Sequence, residues 1–142
     1  MLISKNKSLK YTLLFLTGGF AYGAMENLTR GYSHISMFIA GGICFILIGA
    51  LNEGVSRDLS LLGQMAISAV IITLVEFITG LIVNVWLKLD VWDYSELPFN
   101  IRGQVCLLFT VIWFFLSLLA IFLDDYLRYF LMGEEKPKYR VF

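Results

Sequence analysis

Val75-Glu76-Phe77-Ile78-Thr79-Gly80 opens the most informative stretch of this chain. Asn84, Trp92-Asp93-Tyr94-Ser95, Asn100 and Gly103-Gln104-Val105-Cys106 follow it. The stretch places a carboxylate inside an apolar run of helix length and then a polar connection rich in aromatic rings. A charged group near the centre of a bilayer costs about 2.5–3.5 kcal/mol on insertion scales, so such residues face a bundle interior or a wet cavity. Glu76 is therefore a candidate proton or cation site, or a polar contact to a substrate. A purely structural Glu76 would instead hydrogen-bond across helices to Asn84, Gln64 or Thr73.

The surrounding composition explains why a bilayer is the relevant solvent. The chain has 142 residues, 58% of them hydrophobic and 15% charged, with a mean hydropathy of +0.77. Soluble domains carry about 25% charged residues. The apolar excess falls into four long runs, as membrane spans require. Formal net charge is zero, so no basic field points to nucleic acid. The sequence contains no GxGxxG, GxxxxGK[ST] or HExxH pattern. With one histidine, His34, there is no His-rich metal site. No cofactor, metal or catalytic set is expected, and an enzyme is not the first reading.

The four runs read as helices over Tyr11–Leu28, Ile35–Val55, Leu59–Leu87 and Gly103–Leu123. The first follows a basic start (Lys5, Lys7, Lys10) and lacks a small-residue cleavage pattern, so it reads as a retained helix. Gly19-xxx-Gly23 lets a neighbouring backbone approach, and the glycines of helices 1 and 2 suggest a homodimer or larger membrane complex. Helix 3 spans about 29 residues, or roughly 43 Å, against a hydrocarbon core of about 30 Å. It should tilt, protrude or break near Gly80–Asn84.

Basic residues set the orientation. Lys5, Lys7, Lys10, Arg57, Arg128, Lys136, Lys138 and Arg140 belong to the termini and the middle turn. Arg30, Lys88 and Arg102 belong to the other two connections. The positive-inside rule then puts both termini in the cytoplasm of a multi-pass plasma-membrane protein. Trp86, Trp92, Tyr94 and Tyr32 fall at the outer interface, where amphipathic rings settle.

Two spacings suggest an internal duplication. Tyr32-Ser33 and Tyr94-Ser95 are 62 positions apart, as are Gly41-xx-Cys44 and Gly103-xx-Cys106. Glu26-xx-Thr29 and Glu76-xx-Thr79 match at offset 50. The expected fold class is all-α: an integral membrane protein of four transmembrane helices, built as two tandem hairpins in a parallel repeat. One transmembrane domain would cover 1–142, with hairpins over 11–55 and 59–123 and a cytoplasmic tail over 124–142. Superposed hairpins would bring Glu26 and Glu76 to one depth, with Asn52 and Glu53 in the inner half.

Each of these groups also has a structural explanation. Glu26 with Arg30, and Glu53 with Arg57, are i,i+4 ion pairs. Asp93 either accepts backbone N–H bonds as an Asx turn or pairs with Arg102 or Lys88 in a cap over the helix ends. Asn100 suits the N-cap of helix 4. Cys44 and Cys106 fit small-residue packing. Trp113 should aim its N–H at Glu53 or Glu76. The candidate polar interior is thus Glu26, Asn52, Glu53, Glu76 and Asn84, closed outside by Trp92, Asp93, Tyr94, Asn100 and Arg102.

At Glu76-Phe77-Ile78-Thr79-Gly80, Trp92-Asp93-Tyr94-Ser95, Asn100, Gly103 and the Trp113 helix, the sequence resembles the putative ABC-transporter type IV (CmpB-like) permease family. Gly41-Gly42-Ile43-Cys44 and Leu51-Asn52-Glu53 fit its bacterial members, and the resemblance covers nearly the whole chain. It implies a bacterial inner-membrane permease or transport-associated subunit. Without an ATP-binding loop in the chain, an ATP-driven role would need a separate ATPase subunit. Two other classes stay open: an intramembrane enzyme acting on a lipid-like substrate through Asp93 and Glu76, and a structural or accessory partner of another membrane protein.

Overall fold

A computed structural model describes residues 5–53 and 59–142, with Asn52 and Glu53 described by backbone alone. Four long helices dominate: α1 Lys7–Arg30, α2 Ile35–Glu53, α3 Leu61–Gly80 and α4 Leu107–Met132. A π-helical segment, Leu81–Trp86, continues α3. A two-residue hairpin, β1 Asn100–Ile101 and β2 Val105–Cys106, precedes α4, with Asn100 opposite Cys106 and Ile101 opposite Val105. The class is all-α, as expected.

Local chemistry sets the helix ends. The Asn6 side chain accepts the Leu9 N–H at 3.1 Å and starts α1. Gly31, at φ 80°, returns its N–H to the Asn27 carbonyl and stops it, because a left-handed C′ position favours glycine. Ser60 caps α3 by accepting the Gly63 N–H at 3.1 Å.

Helices α1 and α2 form a close hairpin because glycines line both faces. A Cβ on Gly41 would stand 3.0 Å from the Gly18 carbonyl oxygen, and one on Gly18 would stand 2.7 Å from the Gly41 oxygen. Gly19 and Gly42 likewise receive the rings of Phe38 and Phe15. The working contact is thus Gly18 on Gly41 rather than Gly19-xxx-Gly23; Gly23 only approaches Ser33. These glycines are engaged within the chain, so they do not form the free dimer face read from the sequence.

Helices α3 and α4 pair through small polar groups. The Thr73 and Thr110 hydroxyls meet at 2.9 Å, and the Ser117 hydroxyl donates to the Met65 carbonyl at 3.4 Å. Ile48 of α2 packs with Met65 and Ile121, and Phe45 with Leu14 and Met132, so α2 joins the two pairs. Outward, Val70, Leu74, Ile78, Phe115 and Leu119 are exposed. Leu61–Trp86 and Leu107–Met132, 26 residues each, are long and apolar enough to cross a membrane, while the apolar part of α2, Ile35–Leu51, is shorter.

Three sequence boundaries move. The regular α-helix of the third run ends at Gly80 and gives way to the π-helical segment, within the Gly80–Asn84 region where its length called for a tilt, a protrusion or a break. The fourth helix begins at Leu107 rather than Gly103, because Gly103 takes φ 74° in the turn between β1 and β2. Gly103–Cys106 therefore forms turn and strand while Gly41–Cys44 is helical, and the two motifs have different conformations.

That helix also continues past Leu123 to Met132. Asp124, Asp125 and Arg128 are buried in it rather than lying in a charged tail. The Arg128 Nε donates to both Asp124 oxygens at 3.1 and 3.0 Å. Its guanidinium also lies 3.8 Å from Glu134, which Lys10 of α1 approaches at 3.5 Å. A Cβ on Gly49 of α2 would meet the Asp124 carboxyl carbon at 2.7 Å, so that glycine makes room for the acid. The C-terminal segment folds back: the Tyr139 hydroxyl donates to Asp125 at 2.8 Å, and the Val141 carbonyl accepts the Leu62 N–H at 3.3 Å.

Gly18→Leu tests the backbone contact between α1 and α2. Its side chain would need the space of Phe45 and the Gly41 carbonyl. We expect a destabilisation of at least about 2 kcal/mol, read as a lower unfolding midpoint in mild detergent, with Gly23→Ala near wild type.

Candidate functional site

Glu76 lies in the last turn but one of α3, 6% exposed. An α-helix leaves no spare backbone donor for a mid-helix carboxylate, so its partners come from elsewhere. Tyr94 of the outer connection donates to Oε2 at 3.3 Å, and the indole Nε1 of Trp113 on α4 donates to Oε1 at 3.4 Å. Trp113 fulfils one of the two alternatives read from the sequence. The partners imagined across the helices are engaged elsewhere: Thr73 with Thr110, Gln64 with the Leu59 carbonyl, and Asn84 with the connection.

Delivering Tyr94 requires the connection to fold back over the helix ends. Asn84, on the π-helical segment, does this work with one side chain. Its Oδ1 accepts the Val91 N–H at 2.7 Å and the Trp92 N–H at 3.4 Å, while its Nδ2 donates to Gln104 at 2.9 Å. Trp92 is buried and donates its indole N–H to the Gln104 carbonyl at 2.9 Å. The Tyr94 N–H donates to the Gly103 carbonyl at 2.7 Å. The Tyr94 ring then stacks on Phe109 of α4, with centroids 4.7 Å apart and planes 11° apart. Lys88, Asp90, Phe99 and Arg102 all take φ of 53–55°, a left-handed conformation that non-glycine residues adopt at a cost and that clusters at functional sites.

Several predicted cap residues prove to be local ties. Asp93 accepts the Ser95 N–H at 2.9 Å, so it forms the Asx turn and not an ion pair with Lys88 or Arg102. Hydrogen bonds from Ser95 hold its carboxyl below the usual range. Asn100 does not cap α4, whose N-cap position is Cys106. It instead accepts the Gly103 N–H at 3.0 Å and donates to the Leu97 carbonyl at 2.8 Å. Arg102 is exposed and offers its carbonyl to the Gln104 amide. Cys44 and Cys106 are both buried free thiols.

Helix α1 contributes the second carboxylate. Glu26 is 8% exposed and accepts from Arg30 at 3.2 Å, the expected i,i+4 pair. Arg30 also donates to the Val91 carbonyl at 2.6 Å, which ties the end of α1 to the outer connection, and lies over the Tyr32 ring. Tyr22, one turn before Glu26, is within electrostatic reach of both Glu26 and Glu76, and its ring lies 5.7 Å from that of Trp113. The sequence did offer a signal for Tyr22: a phenol within an apolar run, four residues before the acid and on its face. Phe109 and Gln104 carried no comparable signal.

Two cavities adjoin these groups. The outer chamber, about 620 Å³, is lined by Tyr22, Glu26, Arg30, Trp92, Tyr94 and Trp113 among others. The inner slot, about 250 Å³, runs between α1 and α4 over α2, with Gly18, Phe45, Leu116 and Leu123 in its walls. Tyr22, Met25, Trp113 and Leu116 line both. Glu76 stands behind the rings of Tyr94 and Trp113 and borders a smaller recess with Tyr22. Glu26, Glu76, Trp92 and Tyr94 thus converge from three segments. The side chains of Asn52 and Glu53 lie outside the described residues.

The family described as "Putative ABC-transporter type IV" matches residues 35–136. The chain belongs to that family. No curated protein and no solved structure matches it. The part of this type IV ABC-transporter relative that matches carries Glu76, Tyr94 and Trp113, whereas Tyr22, Glu26 and Arg30 precede it.

Asn84→Ala tests the tie beneath the connection. It would leave the Val91 N–H and the Gln104 amide without their partner, for a loss of about 1–3 kcal/mol. Tryptophan emission should shift to the red as Trp92 opens to solvent; an unchanged spectrum and midpoint would refute this role.

Proposed function

We propose that the chain is a transport-associated subunit or small permease with four membrane spans and both termini in the cytoplasm. Its polar site would sit near the outer face, where Glu26 and Glu76 hold a proton or the cationic part of a cargo. The observation that carries the reading is a chamber lined by Glu26 of α1, with Glu76 of α3 held behind the Tyr94 and Trp113 rings that also line it. Neither acid is spent on capping or on the middle turn. Family membership supports the transport context, and a separate ATPase subunit would supply energy to an ATP-driven cycle.

The spans themselves rest on three supports. The outer faces of α3 and α4 are apolar and exposed, a surface suited to lipid tails. Helix α2, at 19 residues, is roughly 28 Å long, close to the hydrocarbon thickness of about 30 Å. The distribution of lysine and arginine favours cytoplasmic termini. An oxygen acid is tolerable at this depth because Tyr94 and Trp113 satisfy it and the chamber admits water.

Topology is tested with single cysteines. A membrane-impermeant maleimide should label Glu96→Cys in intact spheroplasts, and Lys138→Cys only after permeabilisation. The reverse pattern would overturn the orientation.

Transport is tested in proteoliposomes with entrapped pyranine and an imposed proton gradient. Wild-type protein should dissipate the gradient faster than protein-free liposomes, and Glu76→Gln should slow it about tenfold, or about 1.4 kcal/mol of barrier. Equal rates for variant and wild type would remove Glu76 from the mechanism.

A further inference from the structure

The outer chamber and the inner slot differ sharply in chemistry, yet they share four lining residues. The chamber walls carry the rings of Tyr22, Tyr32, Trp92, Tyr94, Phe109 and Trp113. The acids Glu26, Asp90 and Asp93 line it too, against one lining cation, Arg30. That guanidinium is engaged with Glu26, the Tyr32 hydroxyl and the Val91 carbonyl. The slot is apolar almost throughout, and its wall residues Leu119 and Leu123 are exposed at 65% and 42% on the outer surface of α4.

Aromatic faces attract cations electrostatically when the charge lies within about 6 Å of a ring centroid, and cages of such rings recognise quaternary ammonium groups. The lining carboxylates add Coulombic attraction for a cation and repel an anionic group. A neutral polar head would gain nothing from the ring faces. A bare metal ion needs several converging oxygens, and among the described residues no three His, Cys, Asp or Glu side chains are grouped closely enough to hold one. The slot beneath continues from the same residues and reaches the lipid-facing side of α4, so the bound molecule has an apolar part that enters sideways. Together the two cavities fall in the volume range of small-molecule sites, about 300–1,000 Å³.

We propose that chamber and slot form one binding site for an amphiphile drawn from the bilayer, with an organic ammonium head in the aromatic chamber and an apolar chain between α1 and α4. This rests on the carboxylate site of the proposed function and names its ligand class. Glu26 faces the head directly. Glu76 fixes Tyr94 and Trp113, whose polar atoms it holds, in the chamber wall. Tyr22 sits at the junction of head and chain.

The test uses the full chain in maltoside detergent, with tryptophan emission and thermal shift as readouts and probes kept below their micelle concentrations. Decyltrimethylammonium should bind about tenfold more tightly than decyl sulfate, which tests the head, and about tenfold more tightly than tetramethylammonium, which tests the chain. Glu26→Gln should erase most of the preference for the ammonium head. Ala21→Trp, at an exposed position lining the slot, should weaken decyltrimethylammonium about tenfold and leave tetramethylammonium unchanged. Equal binding of ammonium and sulfate heads by the wild type would overturn the proposal without any variant. Proton flux that depends on Glu76 with no head preference would overturn this ligand and leave the transport reading standing. A clear head preference without flux would support this site and count against transport.

Discussion

A carboxylate inside an apolar helix has to be met by donors from outside that helix, and this requirement shapes the end of the molecule where α3 connects to α4. Trp113 reaches Glu76 from α4 directly, but Tyr94 can do so only if the connection turns back over the helix ends. That return explains why Asn84 holds two consecutive N–H groups. It also explains why Gly103 takes a left-handed turn with Asp93 close against its Cα, where a Cβ would come 2.7 Å from the Asp93 oxygen. Four non-glycine residues accept left-handed φ in the same segment. The strain is local and is offset by buried hydrogen bonds and by Trp92 in the core. Arg30 extends the same arrangement to α1 through the Val91 carbonyl.

A second polar assembly lies at the opposite end. Asp124 is fully buried yet sits in α4, against a glycine of α2 and beside Arg128. Glu134 brings in Lys10 of α1. Removing one partner from such a buried pair is far more costly than the pair is stabilising, about 3–5 kcal/mol, because a charge is left uncompensated. The two ends therefore have different characters. The Asp124 end carries a chain of ion pairs that runs from Asp124 and Arg128 of α4 through Glu134 to Lys10 of α1. The outer one holds its acids with a single arginine and neutral donors and borders open space.

Much of this was legible in the sequence because hydrophobic length and lone polar residues are local signals. Glu76 inside its apolar run and the Glu26–Arg30 pair could be read from run lengths and i,i+4 spacings, and Glu76 was one of the two partners open to the Trp113 N–H. What failed depended on partners distant in sequence. Asp124, Asp125 and Arg128 looked like the start of a solvated tail because nothing local reveals Gly49 facing Asp124 or Tyr139 bonding Asp125. Asn100 looked like a helix cap because it precedes an apolar run, and the intervening hairpin has only two residues per strand. The matching Gly-xx-Cys motifs were equally misleading about conformation, since a glycine serves a helix face at Gly41 and a left-handed turn at Gly103.

The slot follows from the glycines that pack α1 on α2. Gly18 and Gly41 let the backbone of α1 lie directly on α2, so α1 is drawn toward α2. Helix α4 is held separately against α3 by Thr73–Thr110 and Ser117. Two pairs that each close tightly need not close on each other, and α2 then becomes the floor of a cleft between α1 and α4, with Gly41, Cys44, Phe45 and Ile48 along it. Larger residues at 18 and 41 would move α1 outward and take Tyr22 and Glu26 away from Trp113 and Glu76. The close approach of Gly18 and Gly41 thus keeps Tyr22 and Glu26 of α1 at the chamber that Trp113 and Tyr94 also line, with Glu76 of α3 behind those two rings.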